Sequence, residues 1–263
     1  KFKGEWADAK GEPFDWKGSL IYAGALLLLI SGASNLDQGL WAWSLVAAGL
    51  VGLALFLVFE ARIEHPVLNM GLLRQNRIFA LSNLAALFNY AATFGVTFFL
   101  SLYLQYVKGM SPQQAGLILI VQPIMQAVLS PFCGRLADLY PAERVATVGM
   151  LLCAIGLCAA STLTAGSSLT VIIVTLVFLG IGFALFSSPN VSVIMGSVPP
   201  RYLGVASGLS SSMRTLGMMT SMTIITIIFS ILMGDSPVTA ETQTAFLTSM
   251  RIALLVFCGL CVI

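Results

Sequence analysis

The sequence predicts an all-α, polytopic membrane protein of about eight transmembrane helices, and three observations predict it. Apolar residues make up 58% of the chain and charged residues only 9%, against roughly 25% charged in a soluble domain, so it lacks the polar surface to cover itself in water. The apolar residues gather in eight runs, at 18–36, 41–60, 79–105, 113–133, 145–164, 169–189, 203–232 and 246–263. Each run reaches or comes close to the roughly 20 residues that a helix needs to cross the hydrocarbon core, and two, at 79–105 and 203–232, run well beyond it. Finally, cations fall in every second connection between the runs.

Inside hydrocarbon each backbone N–H and C=O must find its partner within the chain, so the runs are expected to be helices. The connections set their direction. Lys1, Lys3, Lys10 and Lys17 precede the first run, Arg62, Arg74 and Arg77 follow the second, Arg135 and Arg144 lie between the fourth and fifth, and Arg201 lies between the sixth and seventh. The opposite connections hold Lys108 alone among cations, with Asp37, Asp235 and Glu241. The positive-inside rule then places the N-terminal segment in the cytoplasm, and eight spans return the C-terminus there. The net charge of +2 reflects topology and implies no nucleic acid. The organisation expected is a cytoplasmic segment at 1–17, two helices within 18–60, a cytoplasmic loop at 61–78 and a six-helix portion at 79–263.

No catalytic chemistry is visible. The five cysteines, Cys133, Cys153, Cys158, Cys258 and Cys261, fall in or at the ends of apolar runs and read as small packing residues. Cys258 and Cys261 form a CxxC without a second ligand pair, and the single histidine, His65, stands in a loop, so neither metal nor cofactor is expected. No GxSxG, HExxH or phosphate-binding glycine loop occurs. The chain opens at Lys1 within KFKGEWADAKGEPFDWKG, which reads as an internal linker, and closes at Ile263 at the inner end of the last run. A fragment is expected.

Polar residues inside the runs need a reason, since unpaired polar groups in lipid are costly. Asn89, Thr93, Thr97, Ser101 and Gln105 recur at i+4 in the third run, and Gln122 and Gln126 stand four apart in the fourth. Beside them Pro123 removes an amide donor and is expected to kink the helix. These residues line a substrate cavity, or they join helices by hydrogen bonds. In the seventh run Gly204, Gly208 and Ser212 repeat at i+4, the small-residue spacing that lets helices approach closely. Arg214 follows inside the apolar stretch. Its readings are a partner for a carboxylate outside this chain, an anion or substrate contact, or a side chain that snorkels to the cytoplasmic interface.

Charges also cluster in GRLADLYPAERV, residues 134–145. Following SPQQAGL at 111–117, it resembles the repeated loop signature of the major facilitator superfamily: Gly, three residues, Asp, a basic residue, any residue, Gly, then two basic residues. Gly134 and Asp138 match; Leu139, Pro141 and Ala142 depart from the pattern, and Arg144 supplies a cation slightly late. FEARIEHPVLNMGLLRQNRIFALSN at 59–83 is similar to the segment that, in the fourteen-helix drug:proton antiporter branch, joins two linker helices to the C-terminal six-helix half. PPRYLGVASGLSSSMRTLG at 199–217 extends the resemblance over nearly the whole chain.

The resemblance implies a secondary transporter in the plasma membrane that exchanges lipophilic or cationic small molecules for protons, with an N-terminal six-helix half outside this chain. Its partners are the bilayer, the small-molecule substrate, protons and that missing half. In the family, the loop Asp is thought to cap a neighbouring helix and pair with Arg, holding one access state. Carried over, Gly134, Arg135, Asp138 and Arg144 form a latch; otherwise the arginines serve topology alone and Asp138 and Glu143 are their solvated partners. If the last six runs form inverted triplets, the fourth and seventh correspond, and both carry Pro or Gly interruptions. No Asp or Glu lies deep in any run, Glu60 being at the end of the second, so a proton carrier is expected outside the chain. A non-transporting membrane scaffold or sensor is the alternative, although no soluble output domain accompanies the helices.

Overall fold

The computed structural model describes residues 16–33, 35, 39–60, 76–234, 238–239 and 242–262. Among the described residues there is no strand, and nine helices account for nearly all of them: α1 (Trp16–Ala33), α2 (Leu40–Glu60), α3 (Arg77–Leu102), α4 (Pro112–Leu119), α5 (Val121–Leu139), α6 (Ala142–Ser161), α7 (Leu169–Gly196), α8 (Leu203–Leu232) and α9 (Gln243–Val262). The expected linker segment up to residue 15, most of the loop at 61–78, and Asp37, Asp235 and Glu241 lie outside the described residues.

Six stretches are long and apolar enough to cross a membrane: Arg77–Val107, Pro112–Leu139, Ala142–Ser161, Leu169–Gly196, Pro200–Leu232 and Gln243–Val262. The apolar stretches of α1 and α2, Trp16–Leu29 and Leu40–Phe56, are shorter. Of the eight runs, six therefore meet the length of a span within these stretches, and the first two form α1 and α2, helices of 18 and 21 residues.

Local chemistry explains the ends. Asn76 starts α3 as its N-cap, its Oδ1 accepting from the Phe79 amide at 3.0 Å. α3 ends in a π turn at Tyr103–Val107, which Gly109 closes with φ of +67°, a conformation that costs glycine little. A capping box opens α4: Ser111 Oγ accepts from the Gln114 amide at 3.3 Å, and Gln114 Oε1 accepts from the Ser111 amide at 3.1 Å, with Pro112 in the first turn.

The kink expected at Pro123 is a break between α4 and α5 at Ile120, because proline has no N–H for the Leu119 carbonyl four residues back. Two helices run past their expected ends. α5 continues to Leu139 instead of stopping near 133, and it stops because Tyr140 precedes Pro141 and is held extended (φ −124°, ψ 157°). α7 continues through Pro189 to Gly196, because the residues beyond the proline are again largely apolar.

The described residues fall into two compact units, one within Lys1–Asn83 and Ile194–Ser212, the other within Leu84–Val193 and Met213–Ile263. In the first, α1 and α2 form a close pair. A Cβ at Gly49 would meet the Leu29 amide nitrogen at 2.7 Å, and the Tyr22 and Phe56 rings meet at a tilt of 36° with centroids 5.0 Å apart. In the same unit Asn76 Nδ2 donates to the Ser197 carbonyl at 2.6 Å, tying the start of α3 to the turn after α7.

The second unit packs α3, α5, α6, α7, α8 and α9 on small residues, as expected where lipid removes the hydrophobic drive for helix association and leaves packing to supply it. Gly182 of α7 lies against α6, where a Cβ would come 2.9 Å from the Cys153 nitrogen. Gly149 of α6 lies against α7, where a Cβ would come 2.9 Å from the Leu185 oxygen. Pro189 deprives that carbonyl of its helical donor, so the glycine approaches where the α7 ladder is open. An aromatic cluster closes one end: Phe99 of α3 meets Phe229 of α8 edge to face at 5.6 Å, and both approach Phe246 of α9 at 6.3 Å. Several hydroxyls inside the helices are satisfied locally, although the buried Ser221 Oγ of α8 has no partner among the described residues. Thr93, Thr175, Thr220, Thr223 and Ser249 each donate to the carbonyl four residues earlier, at 2.8 to 3.0 Å.

Candidate functional site

The polar stripe of α3 changes character along its length. Successive i+4 positions rotate by about 40° on a helix of 3.6 residues per turn. Asn89 is accordingly buried, Thr93 half-buried and Thr97 exposed. Asn89 points at α6, where its Nδ2 has long contacts to Met150 Sδ (3.6 Å) and Cys153 Sγ (3.8 Å). The Thr93 and Thr97 hydroxyls donate to the carbonyls of Asn89 and Thr93, which leaves each only an acceptor to offer a ligand.

On α5, Gln122 is buried at a helix crossing: a Cβ at Gly180 of α7 would stand 2.8 Å from the Gln122 main-chain carbonyl oxygen. Gln126, one turn on, is half-buried. The structure thus places Gln122 against α7 and Asn89 against α6.

Arg214 is exposed on α8, with its guanidinium 5.9 Å from the centre of the Tyr90 ring on α3, within the range where the cation is drawn to the ring face. Three residues further along, Gly217 allows α8 to touch the α3 main chain: a Cβ there would overlap the Leu87 oxygen. Gly204 and Gly208, the predicted packing residues, stand in open space, with nothing within 4 Å of an added Cβ. The Ser212 hydroxyl donates to the Gly208 carbonyl of its own helix at 3.0 Å. Among the described residues, the close approach on α8 is therefore made by Gly217 and not by the Gly204–Gly208 repeat, because the i+4 spacing defines a face without saying whether a partner covers it.

The charged stretch is mostly helix. Gly134, Arg135 and Asp138 lie in the last turns of α5 and Arg144 in the first turn of α6, with Tyr140 and Pro141 between the helices. A Cβ at Gly134 would come 3.3 Å from Ser188 Oγ of α7. Arg135, Asp138, Glu143 and Arg144 are all exposed, and among the described residues no ion pair joins them. No side chain caps the start of α6, where Glu143 faces the positive end of the helix dipole.

Among residues not singled out from the sequence, Asn76 and Tyr90 take structural roles here and Asn190 is buried. Asn76 was legible as an N-cap directly before an apolar run. Tyr90 carried no signal, being one aromatic residue in an apolar helix. Asn190, 4% exposed in α7, lies past the point where the sixth run was expected to stop.

The helices and their glycine-built crossings define an all-α membrane protein that crosses the bilayer several times. The family model of the Major Facilitator Superfamily matches residues 83–263. The chain belongs to that superfamily, whose members are transporters and not enzymes. A riboflavin transporter of Clostridioides difficile is 29% identical over 212 residues, covering 80% of this chain and 45% of its own length. A tetracenomycin C resistance and export protein of Streptomyces glaucescens is 28% identical over 87% of this chain and 43% of its own. A tetracycline resistance determinant of Streptomyces rimosus is 31% identical over 75% of this chain and 60% of its own. The chain spans a little under half the length of the first two.

Proposed function

We propose that the chain is the C-terminal portion of a fourteen-helix, proton-coupled exporter of lipophilic, often cationic small molecules. In this reading α1 and α2 are the linker pair, the helices from α3 onward form the C-terminal half, and both ends of the chain face the cytoplasm.

One observation carries the reading. The spans containing α5 and α8 are only 11% and 17% buried, against 39 to 56% for the other four. An apolar side could simply face lipid. However, α8 exposes Ser207 and Arg214, and α5 holds Gln126 half-exposed, and polar groups of this kind are expensive in hydrocarbon. We read the bare sides of α5 and α8 as facing the half that lies outside this chain, with the substrate between the halves. The share of the relatives' length spanned by the chain fits such a half, and two relatives named for tetracenomycin C export and tetracycline resistance support the substrate class. Among the described spans no Asp or Glu lies deep, so the proton carrier is assigned to the other half.

Alternating access then rocks one half against the other, with Gln126 and Arg214 contacting substrate and Asp138 and Arg144 latching one state. The test uses the full-length protein in proteoliposomes loaded with ethidium under an imposed pH gradient. Gradient-driven flux that a protonophore abolishes is expected; flux indifferent to the gradient overturns the coupling. The 263-residue chain alone is expected to move none, and transport by it overturns the assignment as a half.

A further inference from the structure

Four of the five free cysteines lie on two neighbouring helices, Cys153 and Cys158 on α6 and Cys258 and Cys261 on α9. Cys153 and Cys261 are buried and fit their expected role as packing residues. The other two differ. Cys158 is exposed in the last turn of α6, Cys258 is half-buried, and their Sγ atoms are 3.1 Å apart. Cys258 Sγ also donates to the Ala154 carbonyl at 3.3 Å, one turn before Cys158 on the same helix. That bond directs the Cys258 proton toward Ala154 and leaves the sulfur lone pairs free to meet Cys158.

We propose that Cys158 and Cys258 are an oxidisable dithiol, a modification site at which a hydroperoxide closes a disulfide between α6 and α9. Covalent S–S bonds are about 2.05 Å long, so the two sulfurs need to close by only about 1 Å. Cys158, the exposed member, reacts first. Its sulfur attacks the peroxide, the O–O bond breaks, and an alcohol leaves with the thiol proton, giving a sulfenic acid. Cys258 sulfur then attacks Cys158 sulfur; the S–O bond breaks, the S–S bond forms, and the hydroxyl leaves as water with the Cys258 proton. Two thiols and one hydroperoxide become one disulfide, one alcohol and one water, the thiols giving up two electrons. The product ties α6 to α9 in one register, where lipid otherwise leaves only packing to hold it. This site is independent of the transport reading and needs no substrate.

The experiment treats the protein in lipid vesicles with cumene hydroperoxide, unfolds it in dodecyl sulfate to open the buried thiols, blocks those that remain with iodoacetamide and digests without reduction. Two of the five thiols are expected to become unreactive, with the Cys158 and Cys258 peptides joined and dithiothreitol restoring both. Cys258→Ser should stop at a Cys158 sulfenic acid trapped by dimedone, Cys158→Ser should show neither product, and Cys133→Ser should crosslink as the parent does. The proposal is overturned if all five thiols stay reactive under oxidant that converts glutathione in the same vesicles. It is equally overturned if the disulfide found joins any other pair or two separate chains.

Discussion

Gly217 of α8 lies against the α3 main chain at Leu87, where a Cβ would overlap the carbonyl oxygen and stand 3.1 Å from Tyr90 Cβ. The Arg214 guanidinium, 5.9 Å from the centre of the same Tyr90 ring, sits three residues earlier on the same face of α8. The glycine sets the helix separation, and the cation uses it.

Replacing that glycine forces the helices apart. Gly217→Leu is expected to destabilise the protein by about 1–3 kcal/mol, the usual cost of overpacking, read as a lowered midpoint of thermal unfolding in detergent. Gly208→Leu, at an open position, should stay within about 0.5 kcal/mol of the parent. Equal losses at both positions would mean that the crossing at Gly217 is not the constraint.

Arg214 and Tyr90 are expected to be energetically coupled. A double-mutant cycle with Arg214→Gln and Tyr90→Leu should give a coupling of about 0.5–1 kcal/mol, the range for an exposed cation over a ring. Additive single effects would show that the 5.9 Å approach contributes nothing.

The capping box makes a local prediction. Ser111→Ala removes the acceptor for the Gln114 amide and should cost about 1 kcal/mol. Hydrogen exchange should speed up in the first turn of α4 and remain as it was in α6; an unchanged rate at Gln114 counts against the cap.

If Asp138 belongs to a latch, Asp138→Asn in the full-length protein should slow transport about fivefold or more, the lower end of coupling energies in switching proteins. It should also shift the balance of inward and outward accessibility measured by cysteine alkylation. Glu143→Gln, in the first turn of α6, should do neither. Matching behaviour of the two variants would reduce Asp138 to a solvated charge.

Helix number and placement were legible because hydrocarbon demands long apolar runs and because Pro123 interrupts one of them by a rule that needs no partner. The ends of α5 and α7 were not. Leu136, Ala137 and Leu139 continue a helix past charged neighbours, and Pro189 is tolerated within α7, which goes on through Val191, Val193 and Ile194. Packing faces were less legible still. Gly204 and Gly208 have the spacing of a crossing but, among the described residues, nothing within 4 Å of an added Cβ, whereas Gly149, Gly182 and Gly217 make crossings with no spacing signal among them. For the candidate site, i+4 spacing grouped Asn89, Thr93 and Thr97, but the slow rotation of that stripe turns Asn89 toward α6 and leaves Thr97 exposed.

The hydroxyls of Thr93, Thr175, Thr220, Thr223 and Ser249 donate to carbonyls of their own helices. Each of these helices thus enters the bilayer with those donors already occupied, without drawing on a neighbour. Release from the insertion machinery need not wait for assembly. The ribosome can deliver the spans one after another, and the glycine crossings can form later among helices already at home in lipid.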